Sequence, residues 1–257
     1  MGRGNDQIEN MSFFDHLDEL RSSLFRGLIG LLVGLVVCYY FAPWIQTFLI
    51  NPVNSGTDVT MALLAPTEGF VVRLKISFVA GLFLTAPWLF YQLWRFVAPG
   101  LFSEERKMVF PVVFFSTICF ITGAAFALYI LPYATSFFLS FSTPTVLNSW
   151  SLGKYVDFVL RLFIAFGVVF EMPLLIYFLA RFGIVNPPFL RTYRRHMYVA
   201  FLIMASIITP PDVFTQVILC APMVLLYELS ILLAGVAGRK RKGKEESLPQ
   251  TNDGEAD

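Results

Sequence analysis

The sequence predicts an all-α membrane protein, and three observations carry that prediction. Of its 257 residues 56% are apolar and 16% aromatic, with a mean hydropathy of +0.67, well outside the range of a soluble globular domain. Charged residues make up only 14% and fall mostly between the apolar blocks. Several blocks are long enough to cross a hydrocarbon core of about 30 Å.

Residues 1–11 are polar and expected to be disordered. Ser12 and Asp15 have the spacing of a capping box, with Asp in place of the usual Glu. Phe13, Leu17, Leu20 and Leu24 then recur at helical spacing, while Asp15, Asp18 and Glu19 share the opposite face. The pattern predicts an amphipathic helix on the membrane surface. Such helices usually carry Lys and Arg outward, towards anionic headgroups, so an acidic face points to a cationic partner. A merely solvated face is the simpler alternative, and spacing alone favours it.

The first span covers Leu24 to Trp44 and ends in an interfacial belt of Tyr39, Tyr40 and Trp44. A loop with Pro52, Gly56 and Pro66 leads to the second span, Phe70 to Val97, with Pro87 inside it. Ala98–Lys107 forms a short turn into the third span, Met108 to Leu131, where Ser103 is a natural N-cap and Glu104 and Glu105 suit the helix dipole. Pro132 to Lys154 reads as a Ser/Thr-rich loop. The fourth span, Tyr155 to Phe182, opens with an Asp157–Arg161 pair at i, i+4. Its middle holds Glu171, a carboxylate costly in hydrocarbon and therefore a functional candidate, beside the helix-kinking Pro173. Met197 to Ile208 is a short apolar run of 12 residues, and Thr209-Pro-Pro-Asp212 separates it from a last helix, Val213 to Val236. Residues 239–257 form a tail, first basic and then acidic, expected to be disordered.

Of the 19 Lys and Arg residues, 15 fall on one side of this arrangement, leaving Arg73, Lys75, Lys154 and Arg161 near the other. The positive-inside rule therefore puts both termini in the cytoplasm. Six crossings fit that parity, and so does a re-entrant hairpin over residues 197–236.

Cys38, Cys119 and Cys220 are far apart, in apolar segments, and offer no disulfide or metal framework. The N-terminal stretch, acidic and without a small-x-small site, does not read as a cleavable signal. His16 and His196 are the only histidines, and neither HExxH nor GxSxG occurs, so an enzyme is not expected and no cofactor is implied. A secondary transporter could use Glu171 and Glu228 as coupling carboxylates, yet the halves of the chain show no self-similarity. A scaffold receiving another protein's helix in the membrane remains as the third class.

Four motifs then carry a family resemblance. His16-Leu-Asp-Glu19-Leu-Arg21, Ala98-Pro-Gly-Leu-Phe with Glu105-Arg106, Phe166-Gly-Val-Val-Phe-Glu171-Met-Pro173 and Thr209-Pro-Pro-Asp212-Val-Phe-Thr-Gln216 resemble those of the TatC subunit of the twin-arginine translocase. The likeness runs in order from His16 to Gly238. It implies six transmembrane helices, the last two short, in a cupped-hand bundle over residues 12–238. It implies a receptor in the bacterial cytoplasmic membrane for Arg-Arg signal peptides of folded precursors, assembled in a multimer with TatB-like and TatA-like subunits and driven by the proton gradient. Besides these partners and membrane lipid none is implied, and nucleic acid is not. Glu19 and Glu105, flanked by Arg21 and Arg106, would bind the signal peptide. Glu171 would act within the membrane, and Thr209, Asp212 and Gln216 would lie where partner helices dock. Ser206 departs from relatives that carry a larger apolar residue there.

Overall fold

The computed structural model describes residues 13–54, 59–97, 109–141, 149–208 and 213–246. Among the described residues seven helices and two short strands follow in the order α1 (Phe13–Asn54), β1 (Thr60–Ala62), α2 (Glu68–Val97), α3 (Val109–Leu139), β2 (Ser149–Ser151), α4 (Leu152–Arg181), α5 (Pro187–Thr192), α6 (Arg194–Ile208) and α7 (Val213–Glu246). Among the described residues five helices are long and apolar enough to span a membrane. The 15-residue α6 is the short one, about 22 Å at 1.5 Å per residue.

Four boundaries differ from the sequence reading. The first span, expected to end at Trp44, runs on as helix to Asn54, so that Pro52 lies in α1 and not in a loop. The segment expected as a surface helix is continuous with the first span, because nothing between Phe13 and Leu24 breaks the helix. The supposed loop from Pro132 is helical to Leu139, with Pro132 inside α3. Thr135 Oγ1 donates to the Leu131 and Pro132 carbonyls there, at 3.0 Å each. The basic stretch from Arg239, expected to be disordered, continues α7 as helix to Glu246; residues 1–11 and 247–257 lie outside the described residues.

The chain forms two compact units. In the first, Met1–Ile121 with Phe141–Leu160, α1 packs along α2. Small residues make this packing possible: Ser23, Gly27, Gly34, Cys38 and Ala42 recur on one buried face of α1. At the closest approach a Cβ on Gly81 would lie 2.8 Å from the Leu35 nitrogen and 2.9 Å from the Gly34 carbonyl carbon. Glycine pairs let membrane helices meet backbone to backbone, where dispersion and not the hydrophobic effect holds them. The Trp88 indole lies over Gly30 and donates from Nε1 to the Arg26 carbonyl at 3.1 Å. The outer face of α1 is apolar as well, with Ile29, Val33, Val36 and Tyr40 exposed, as a lipid-facing surface requires.

Outside the apolar run, β1 and β2 pair in parallel, Met61 opposite Trp150. Glu68 closes this join. Its carboxylate accepts from the backbone N–H groups of Leu64, Ala65 and Gly153 and from the Ser151 hydroxyl, the last two at 2.6 and 2.8 Å. Four donors on one carboxylate favour its ionised form. Tyr155 adds a hydrogen bond from its hydroxyl to the Leu49 carbonyl at 2.7 Å.

The second unit is Thr122–Ser140 with Arg161–Asp257. Gly123 of α3 lets its backbone approach α4, since a Cβ there would fall 2.5 Å from the Phe166 oxygen. Phe126 packs edge-on against Phe166, with ring centres 5.1 Å apart. Gly183, with φ of 76°, ends α4 in the left-handed cap that only glycine adopts freely.

Replacing Gly81 by Ala should cost about 1–3 kcal/mol through overpacking against α1, read as a lower thermal midpoint in detergent. Gly235→Ala is the matched control: a Cβ there meets nothing within 4 Å. Loss of the interior glycine should raise stability by up to about 1 kcal/mol.

Candidate functional site

The residues singled out in the sequence fall in both units, and the structure describes some of them. Glu105, Arg106, Thr209 and Asp212 lie outside the described residues.

Glu19 sits on α1, one turn before Ser23 and on the same face. Its carboxylate is half-buried, and Oε2 is shut off from solvent with no hydrogen-bond partner among the described residues. Arg21, two residues on, is exposed and holds its guanidinium 5.8 Å from the centre of the Phe25 ring. The nearest cation in sequence is thus engaged with an aromatic face and forms no ion pair with Glu19.

Glu171 lies in the middle of α4 and is 6% exposed. Phe166 and Phe170 precede it, and Phe126 of α3 packs on both rings at 5.1 and 5.3 Å. The helix continues through Pro173, which is itself buried. Burial at this depth puts the acid in surroundings of low dielectric, where an ionised carboxylate is costly.

Glu228 has different surroundings. It accepts from Arg194 at 2.6 Å on Oε2 and from the Tyr198 hydroxyl on Oε1, tying α7 to the first turns of α6. Tyr227 beside it donates to the Leu190 carbonyl at 2.8 Å. A carboxylate held by a guanidinium and a phenol anchors helices, so the paired coupling acids imagined for a transporter reduce to Glu171 alone. Gln216 donates from Nε2 to the Leu202 carbonyl at 2.9 Å, closing the α6–α7 hairpin near its turn.

The expected Asp157–Arg161 pair does not form. Asp157 pairs with Lys75 of α2 at 2.6 Å. Arg161 donates to the Ile207 carbonyl at 3.2 Å, at the C-terminal end of α6 where free carbonyls attract a cation. A stronger partner on another helix wins over an i, i+4 neighbour. Sequence reasoning also passed over Glu68, although its place in a first helical turn behind Pro66-Thr67 was a capping signal. Among the described residues no cluster of His, Cys, Asp or Glu could hold a metal ion.

Comparison with known proteins places these residues in a family context. The family described as "Sec-independent protein translocase protein (TatC)" matches residues 15–222. The Sec-independent protein translocase protein TatC of Desulforapulum autotrophicum is 38% identical, over 97% of this chain and 93% of its own length. That of Helicobacter pylori is 39% identical over 90% of each chain, and that of Aquifex aeolicus 38% identical over 90% of this chain and 98% of its own. A crystal structure of a twin arginine translocase receptor TatC superposes with a TM-score of 0.80 at 37% identity, covering 86% of this chain and 99% of that one.

Removing the Glu228 side chain leaves Arg194 and Tyr198 without their acceptor. Glu228→Ala should lower stability by about 1–3 kcal/mol, towards the lower end because the two charged side chains are 41% and 33% exposed. Tyr198→Phe should cost about 1 kcal/mol. Thermal unfolding of the purified protein in detergent checks both.

Proposed function

Because the chain belongs to the TatC family of Sec-independent protein translocase proteins, as its family match and relatives show, we propose that it is the receptor that binds Arg-Arg signal peptides of folded precursors. It is a multi-pass membrane protein of six transmembrane helices and a transport component, not an enzyme.

The observation that carries the receptor reading is the Glu19 carboxylate, whose Oε2 is buried and without a partner among the described residues. A half-buried anion with an open hydrogen-bonding position favours a cation from another molecule. A guanidinium fits better than an ammonium, because its planar fork can engage both carboxylate oxygens. Glu105 supplies the second carboxylate for the second arginine, with Arg21 and Arg106 completing the two charged motifs.

The basic asymmetry of 15 against four supports cytoplasmic termini in the bacterial inner membrane. Thr209, Asp212 and Gln216 form the region where TatB-like and TatA-like single-span helices dock. The exposed apolar side chains of Ile203, Ile207, Val213 and Val217 on either side of that turn support this. The assembled complex uses the proton gradient, with Glu171 acting after recognition.

Glu19→Gln and Glu105→Gln are expected to weaken binding of a twin-arginine signal peptide at least tenfold, about 1.4 kcal/mol each, with protein level unchanged. In these variants a Lys-Lys peptide should lose little further. Single variants that still prefer Arg-Arg over Lys-Lys by the wild-type margin would exclude the two carboxylates and point to Asp15 or Asp18.

Glu171→Gln removes the ionisable proton and keeps the shape. Insertion and signal-peptide binding should persist while export falls. Wild-type export by both Glu171→Gln and Glu171→Ala at equal expression would make the acid purely structural.

A further inference from the structure

The first unit holds a cavity of about 340 Å³ between the N-terminal part of α1 and the C-terminal part of α2. Leucines dominate its walls, among them Leu24 and Leu28 of α1 and Leu89 and Leu93 of α2. Its polar lining comes from Ser23 and Gln92. Gln92 is 3% exposed, and both its Nε2 and its Oε1 are buried without a hydrogen-bond partner among the described residues.

An amide with donor and acceptor both unmade is destabilising in any low-dielectric setting. Its position is set by the packing. Gly34 lies against Gly81, Gly30 against Trp88 and Gly27 against Leu89, so the helices run antiparallel and Gln92 comes opposite Ser23. Glu19 is one turn beyond Ser23 on the same face, about 6 Å further along α1. Two polar groups without partners therefore stand along one apolar groove, the amide inside it and the carboxylate past its end.

The chemistry of the occupant follows. Nε2 needs an acceptor and Oε1 needs a donor. A lipid acyl chain offers neither, and its ester offers acceptors only. A peptide group offers both, provided it is not already bonded within a helix. The leucine walls suit apolar side chains, and the carboxylate suits a cation preceding them. We propose that this groove receives the apolar segment following the arginine pair of a signal peptide, in extended form where it passes Gln92, with the Gln92 side-chain amide pairing to its backbone. The identity of the peptide rests on the receptor reading above; the groove and its polar contact do not.

The test uses the full chain in detergent with two labelled peptides, a complete twin-arginine signal peptide and the same peptide cut after the arginine pair. Gln92→Met keeps the volume and removes the amide. It should raise the thermal midpoint, since a buried unsatisfied group is lost, and lower affinity for the complete peptide at least tenfold, with under twofold loss for the cut one. In a chain with Cys38, Cys119 and Cys220 changed to Ala, Leu93→Cys should form a disulfide with a cysteine placed in the apolar segment. Ser23→Phe, which fills the groove, should abolish that crosslink. Equal losses for both peptides, unchanged affinity, or absence of the crosslink overturns the proposal. So does a phospholipid that stays bound to the protein when peptide is added. If wild-type protein failed to prefer Arg-Arg over Lys-Lys, the receptor reading would fall, while the crosslink from position 93 would still decide the groove.

Discussion

Hydrocarbon offers no hydrogen bonds, and every spanning part of this protein is shaped by that deficit. Backbone groups are satisfied within helices. Side-chain hydroxyls follow the same rule: Ser77, Thr85, Thr117 and Ser230 each donate to the carbonyl four residues earlier, at 2.6–2.8 Å. Apolar side chains gain nothing by leaving lipid for a neighbouring helix, so close contact must come from shape. Hence the glycines at the α1–α2 crossing, and Gly123 where α3 approaches α4.

Polar groups that cannot be satisfied within their own helix become ties between helices. Lys75 and Asp157 join α2 to α4, and Arg161 takes the carbonyl of Ile207 near the end of α6. The Arg194–Glu228–Tyr198 group joins α6 to α7. Against these, Oε2 of Glu19 and both amide atoms of Gln92 are buried without a partner among the described residues, whereas Arg194 leaves only its Nε unmade. Their distribution separates anchoring groups from groups left open to another molecule.

Much of the fold was legible because its strongest signals are local. Uninterrupted apolar runs gave the long spans, and the second and fourth begin within three residues of where the helices do. Boundaries failed where tertiary context decided. Pro132 looked like a helix end, yet α3 continues through it. Asp157 looked paired to Arg161, yet a lysine 82 residues away holds it. The parallel join of β1 and β2 left no pattern in three-residue strands. At the candidate site Glu171 could be named in advance because a carboxylate inside an apolar run is conspicuous, whereas Glu19 and Gln216 were singled out through the family resemblance. Gln92 could not, since an amide near a span's end is ordinary until its burial is known.

The continuity of α1 has a mechanical consequence. Its backbone meets that of α2 at Gly34, and Glu19 lies 15 residues away along the same unbroken helix, about 22 Å. Along that length Trp88 over Gly30 and Leu89 against Gly27 clamp α1 to α2, with the Trp88 indole bonded to the Arg26 carbonyl. The two helices are thereby a stiff splint, and Glu19 keeps its place beside the end of α2 when the pair tilts in the membrane.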